Sequence, residues 1–105
     1  MTARQRLPNR RPSTTFNFEC GGHWYAATIS HFAGTNTLAE IFLGNGRAGS
    51  DIDGAAKDSV VVASIAFQHG VSVDIIRRAL LRDPRGIASS PLGVALDIIA
   101  DSAEG

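Results

Sequence analysis

Apolar and polar residues alternate over the first third of the chain, which is the pattern of strands buried on one face. In residues 14–20 the two phenylalanines and the cysteine are spaced two apart, so they fall on one side of an extended chain. Gly21-Gly22 can supply the positive φ angles of a two-residue hairpin turn. Residues 23–31 are rich in aromatic and β-branched side chains and are therefore predicted to form a second strand paired with the first.

A third strand is predicted over residues 38–43, after a second turn at Gly34-Thr35-Asn36. The three strands would form an antiparallel meander. The alternation is lost in the apolar run Ile41-Phe42-Leu43, which predicts a strand that is covered on both faces or lies beside the helices.

The apolar spacing changes from two to between three and four after Gly49, and this predicts a helix. Ser50 is a candidate N-cap, and Asp51 and Asp53 place negative charge in the first turn. The helix would end at His69-Gly70. Its core face is predicted at Ala56, Val60, Ala63 and Phe67, widened by Val62, Ile65 and Ala66.

Two shorter helices are predicted to follow, each opened by a serine. Ser72 caps the first, which would bury Ile75, Ile76, Ala79 and Leu80 and turn Arg77, Arg78 and Arg82 outward. Ser90-Pro91 opens the second, whose residues 92–99 are very apolar. The predicted fold class is α+β, with a three-stranded antiparallel meander followed by three helices packed on one face.

The length of 105 residues fits one domain with one modest core. We expect a flexible basic arm over residues 1–13 and a single domain over residues 14–105. Cys20, the lone cysteine, cannot form an intramolecular disulfide, and no apolar stretch predicts a signal peptide or a membrane span. These features indicate a cytoplasmic protein without a membrane partner.

Basic residues are concentrated at the start of the chain, although the formal net charge is zero. Of ten basic residues, four precede the first acidic one, which leaves six against ten acidic residues in the remainder. This mildly acidic body disfavours strong nucleic-acid binding, so any such contact would be weak and made by the arm. The four basic residues of the arm are Arg4, Arg6, Arg10 and Arg11.

Residues 44–49 match the spacing G-x-G-x-x-G between a predicted strand and a predicted helix. A dinucleotide site also needs a parallel strand after the helix and an acidic residue about 20 positions on, and neither is predicted here. Two interpretations stay open, a tight turn that needs glycine and an anion site at the start of the helix. The residues of the candidate anion or ligand site are Gly46, Arg47, Gly49 and Ser50.

Cys20 and His23 have the spacing of half a metal site, and His31 follows eight residues later. A structural zinc site needs four ligands, and no second Cys/His pair exists, so the sequence predicts neither a metal nor another cofactor. A Cys20 nucleophile would need a base and a group that orients it, and no such group is evident. No catalytic residues are predicted, although a small enzyme with an unrecognised site remains an alternative.

Three segments from residue 39 onward resemble the TSCPD domain, a C-terminal extension of vitamin B12-dependent ribonucleotide reductases that also occurs as short free-standing proteins. They are Ala-Glu-Ile-Phe-Leu at residues 39–43, Gly-Arg-Ala-Gly-Ser at residues 46–50 and the run from Ser64 to Ile76. The segment that names the family departs from it, because residues 88–92 are Ala-Ser-Ser-Pro-Leu and serine replaces the cysteine.

The resemblance implies a non-catalytic accessory or binding module, linked to deoxyribonucleotide metabolism and contacting a nucleotide or a ribonucleotide reductase. The chain is too short to hold a reductase barrel itself. A homodimer is also predicted, because a three-stranded meander has two edges and the third helix is more apolar than a small core can absorb.

Overall fold

A computed structural model describes residues 13–35, 37–45 and 54–104. Three antiparallel strands form one sheet in the order β1-β2-β3, and three helices follow. The elements are β1 Ser13–Cys20, β2 His23–His31, β3 Leu38–Asn45, α1 Gly54–Gln68, α2 Val73–Ala79 and α3 Pro91–Glu104. The α+β architecture expected from the sequence is confirmed, with the helices packed against the sheet.

The β1–β2 hairpin turns at the two glycines that the sequence indicated. Gly21 and Gly22 have φ angles of 61° and 81°, which side chains with a Cβ rarely adopt. The resulting register pairs Phe18 with Tyr25 and, on the other side of β2, Ile29 with Ile41. These cross-strand pairs lie on the sheet face that the helices cover.

The core lies between that sheet face and helices α1 and α3. Phe67, Ile41 and Leu96 are its largest fully buried side chains, one each from α1, β3 and α3. Helix α1 contributes the face predicted for it, since Ala56, Val60, Ala63 and Phe67 are all buried. The sheet and two helices thus share a single hydrophobic cluster.

Helix α1 also binds β3 through two polar side chains. The Ser64 hydroxyl accepts from the Ile41 N–H and donates to the Ile41 carbonyl, both at 3.0 Å. One turn later, Gln68 Nε2 donates to the Ala39 carbonyl at 3.1 Å. All three of these hydrogen bonds are buried. Through them α1 pairs backbone groups of β3 that β2 does not reach.

The connection between α2 and α3 is a small hairpin organised by one carboxylate. Asp83 Oδ1 accepts from the backbone N–H groups of Arg85 at 2.8 Å and Ile87 at 3.0 Å. The hairpin leads to Ser90, whose hydroxyl caps α3 by accepting from the Gly93 N–H at 3.2 Å. A Cβ at Gly93 would lie 2.9 Å from that of Ala88, so glycine is needed for this close approach.

Several side chains face a different way from the sequence-based expectation. Helix α2 packs through its stripe at Val73, Ile76 and Leu80, and this leaves Ile75 and Ala79 exposed. Val62 and Ile65 of α1, predicted to widen the core face, are also exposed. Because α2 is short and α1 lies at an edge of the structure, each helix buries only one stripe of its side chains.

Two further expectations concern β3 and the arginines. Phe42 of β3 is half exposed, so the apolar run there reflects a position beside α1 and not cover on both faces. Arg77 and Arg82, predicted to point outward, are half-buried and bind Asp97 of α3, whereas Arg78 is exposed as expected. The proposed cap at Ser50 lies outside the described residues.

Candidate functional site

A cleft of about 870 Å³ opens where one end of the sheet meets α2 and the C-terminal half of α3. We call it the groove. The core face of β1 and β2 forms its floor, and the α1–α2 turn and α3 form its walls. It is lined by Thr14, Phe16, Ile29, His31, Thr37, Leu38, Val71, Ser72, Val73, Asp74, Ile98, Ile99, Ala100 and Ser102.

The groove is apolar inside and polar at its rim. Ile29 and Leu38 are buried, and Phe16 and Ile98 are half-buried beside them. The exposed lining residues are all polar, namely Thr14, Thr37, Ser72, Asp74 and Ser102. A volume of this size and such a distribution of polar groups are typical of a site for a small ligand with an apolar body.

The charge of the groove is acidic. Asp74 is the one carboxylate in its lining, which also holds His31 but no arginine or lysine. The Asp74 carboxylate is 61% exposed and accepts a single 3.3 Å hydrogen bond from Arg77, so it can still face a ligand. The rim therefore presents one carboxylate, paired with Arg77, above an apolar floor.

An ion-pair network joins α2, whose first residues line the groove, to α3. Arg82 donates to both carboxylate oxygens of Asp97 at 2.8 Å, and Arg77 Nε donates to Oδ1 at 3.0 Å. Hydrogen bonds from Arg82 first, and then from Arg77, hold the pKa of Asp97 below its ordinary value. Arg77 also bonds Asp74, so the network connects the groove rim to α3.

The anion site predicted from the sequence, at Gly46, Arg47, Gly49 and Ser50, lies outside the described residues, as do the arginines of the arm. The structure does fix where β3 ends before that segment. Leu38 lines the groove and Asn45 is the last residue of β3, seven positions further on. In an extended chain this is about 23 Å, so the groove and the end of β3 are separate regions.

The Cys20, His23 and His31 set does not form one site. Cys20 pairs with His23 across the hairpin, but His31 is at the other end of β2, eight residues or about 26 Å away. Among the described residues no three potential ligands come together for a metal ion. Burial raises the pKa of the Cys20 thiol, which leaves it largely protonated and weakly nucleophilic at neutral pH.

Comparisons of the chain with family models, with curated proteins and with solved structures yield no match. The protein is therefore defined by its fold alone, as a small α+β domain with an apolar groove whose rim carries a carboxylate. Within the described ranges, the helices are too short or too polar to cross a membrane.

Proposed function

We propose that the protein is a non-catalytic binding module whose groove takes an uncharged or cationic ligand with an apolar body. The lining of the groove carries this proposal, because its buried part is apolar, its one carboxylate is Asp74 and it holds no arginine or lysine. Ligands of this kind would place the apolar body against the floor at Ile29 and a donor group at the rim.

A thermal-shift comparison of three compounds with one carbon skeleton tests the charge preference. Phenylbutylamine is expected to raise the melting temperature most, phenylbutanol less, and phenylbutyrate least. A ligand at 100 times its dissociation constant adds about 2.7 kcal/mol of stability. In Asp74→Asn the advantage of the amine over the alcohol should disappear. Equal stabilisation by the amine and the carboxylate would contradict the proposal.

A pair of alanine variants tests the location of the site. Ala100 lines the groove, whereas Ala79 is exposed on α2 and does not line it. Ala100→Phe should fill the groove and weaken amine binding by at least about tenfold, which corresponds to 1.4 kcal/mol. Ala79→Phe serves as the matched control and should bind as the parent does. Loss of binding in both variants, or in neither, would place the ligand elsewhere.

We further propose, from the sequence resemblance, that this module works in the cytoplasm beside a ribonucleotide reductase of the B12-dependent class. What supports the proposal is the similarity of residues 39–43, 46–50 and 64–76 to that domain and an order of strands and helices compatible with it. Co-sedimentation of the chain with such a reductase tests it. Retention of the complex after the reductase's own C-terminal domain is removed is the supporting result, and its absence would count against the proposal.

We propose that a nucleotide phosphate binds at the segment after β3 and not in the groove. Arg47 offers a guanidinium suited to phosphate, and the groove lining holds no comparable cation. Titration with phosphate, ATP and dATP should stabilise the parent and Ala100→Phe equally and should not stabilise Arg47→Ala. Identical responses of the parent and Arg47→Ala would remove the anion site from consideration.

A further inference from the structure

Helix α1 is apolar on two opposite faces. Its core face is buried, while on the other side Val61, Val62 and Ile65 are 51, 68 and 39% exposed. Successive residues of an α-helix are rotated by about 100°, which places these three side chains next to one another and opposite the core face. We call them, with Asp58 and His69 at either end, the outer stripe.

We propose that two copies of the chain pair through the outer stripe, with their α1 helices antiparallel about a twofold axis. A helix that is apolar all round is normally covered on both sides. Nothing among the described residues of the same chain covers this one, since the three apolar side chains are exposed. The pairing does not involve the groove and does not depend on the proposed function.

The ends of the outer stripe identify a second copy as its occupant. Asp58 lies at the N-terminal end and His69 at the C-terminal end, with the apolar residues between them. An antiparallel twofold therefore sets Val62 against the partner subunit's Ile65 and Asp58 against the partner subunit's His69. The contact between Asp58 of one subunit and His69 of the partner subunit therefore occurs twice in one symmetric interface, because each end of the stripe complements the other.

The conformation of His69 suits this arrangement. Its Nδ1 is 2.9 Å from the Ile65 carbonyl, which can only accept, so Nδ1 donates and the ring is held at the end of the helix. Nε2 is then the nitrogen left to face the partner subunit's carboxylate, and it donates to that carboxylate when the ring carries a proton on both nitrogens. Asp58 itself has no hydrogen bond or ion pair with any other described residue, so its carboxylate is available.

Sedimentation velocity of the full chain at pH 6 tests the interface. We expect a dimer with a dissociation constant in the micromolar range, about 1 to 50 μM. Val62→Ser/Ile65→Ser should raise that constant by about 100-fold while its circular dichroism spectrum stays that of the folded parent. The control Leu81→Ser/Ile87→Ser, which removes somewhat more exposed apolar side chains from the α2–α3 hairpin, should leave that constant unchanged. A monomeric parent at about 100 μM would overturn the proposal.

A charge exchange tests the antiparallel register. Asp58→Lys alone sets an ammonium group against the partner subunit's His69 in place of a carboxylate, and His69→Asp alone sets two carboxylates together, so each variant should dimerise about tenfold more weakly than the parent. Mixing the two variants should restore a heterodimer, since the ammonium introduced by Asp58→Lys in one subunit would face the carboxylate introduced by His69→Asp in the other. A mixture as weak as its components would rule out this register, and a variant that dimerises as tightly as the parent would do so as well.

Discussion

Asp97 shows how single polar residues hold this small domain together. Its two oxygens accept three hydrogen bonds from Arg77 and Arg82, and Arg82 also donates to the backbone carbonyls of Gly86 and Arg77. One side chain of α3 thereby fixes both α2 and the hairpin after it. The first residues of α2 and the C-terminal half of α3 line the groove. Asp97 therefore affects the shape of the groove without lining it.

Replacing this carboxylate should make stability depend less on pH. We expect Asp97→Asn to lower the free energy of unfolding by about 1 to 2 kcal/mol at pH 7, because three charge-assisted hydrogen bonds are weakened at a partly exposed site. The folded-state pKa of Asp97 is depressed, so its contribution is complete above the unfolded value of about 3.9 and is lost as pH falls through the lower folded value.

Urea unfolding of the parent and Asp97→Asn between pH 7 and pH 2 measures this difference. The two curves should converge at the acid end. Asp74→Asn is the matched control, since that carboxylate is mostly exposed and makes a single ion pair, and its effect should stay within about 0.5 kcal/mol. A difference for Asp97→Asn that persists unchanged to pH 2 would show that the lost contacts are not ionic.

At the scale of elements, the pairing of α1 with β3 depends on Ser64. Its hydroxyl satisfies both backbone groups of Ile41 in a buried setting, where an unpaired donor or acceptor is costly. We expect Ser64→Ala to lower the free energy of unfolding by about 2 to 3 kcal/mol, as measured by urea denaturation.

Ser59 provides the comparison for that experiment on the same helix. Its hydroxyl donates to the Ala56 carbonyl at 2.6 Å, a bond within α1 that links no other element. Ser59→Ala should therefore change stability by less than about 0.5 kcal/mol, helped by the better helix propensity of alanine. Equal effects of the two substitutions would mean that Ser64 contributes only helix propensity.

Much of the element order is encoded locally, and this is why the sequence predicts it. The alternation of β1, the paired glycines at 21–22 and the serine caps at 72 and 90 all act within a few residues of their own position. The orientation of α2 is set by tertiary packing instead. Ile75 and Ile76 are equally apolar, and only the position of α3 decides that Ile76 is the one that packs inward.

At the scale of the whole molecule, one core serves the sheet and two helices, so damage anywhere in it should unfold everything together. Leu96→Ala should cost about 3 kcal/mol because Leu96 is fully buried in that cluster. Fluorescence of the single tryptophan and circular dichroism should report the same lowered midpoint.

Leu81→Ala is the matched substitution for that test, since Leu81 is 74% exposed, and it should cost less than about 0.5 kcal/mol. Two separate transitions in Leu96→Ala, one for the sheet and one for the helices, would contradict a single cooperative unit.

The groove could not be predicted from the sequence, because it belongs to no segment. Its lining comes from all three strands or their flanks, the α1–α2 turn and the end of α3, and most of these residues are ordinary apolar side chains. The nearest local signal is Ser72 with Asp74, which indicated a helix start and no more. That Asp74 lies beside an apolar floor, in a lining without arginine or lysine, emerges only from the folded arrangement.

The hydrogen bonds from Ser64 and Gln68 to β3 affect how the protein can aggregate. Fibrils and runaway polymers grow when each added sheet offers a fresh edge to the next. With the backbone of Ile41 and Ala39 already engaged by α1, strand addition at β3 must first pull the helix away. Two molecules that pair only through their β1 edges form a closed dimer with no further edge to extend. By occupying the β3 edge, α1 therefore limits growth by strand addition to two molecules.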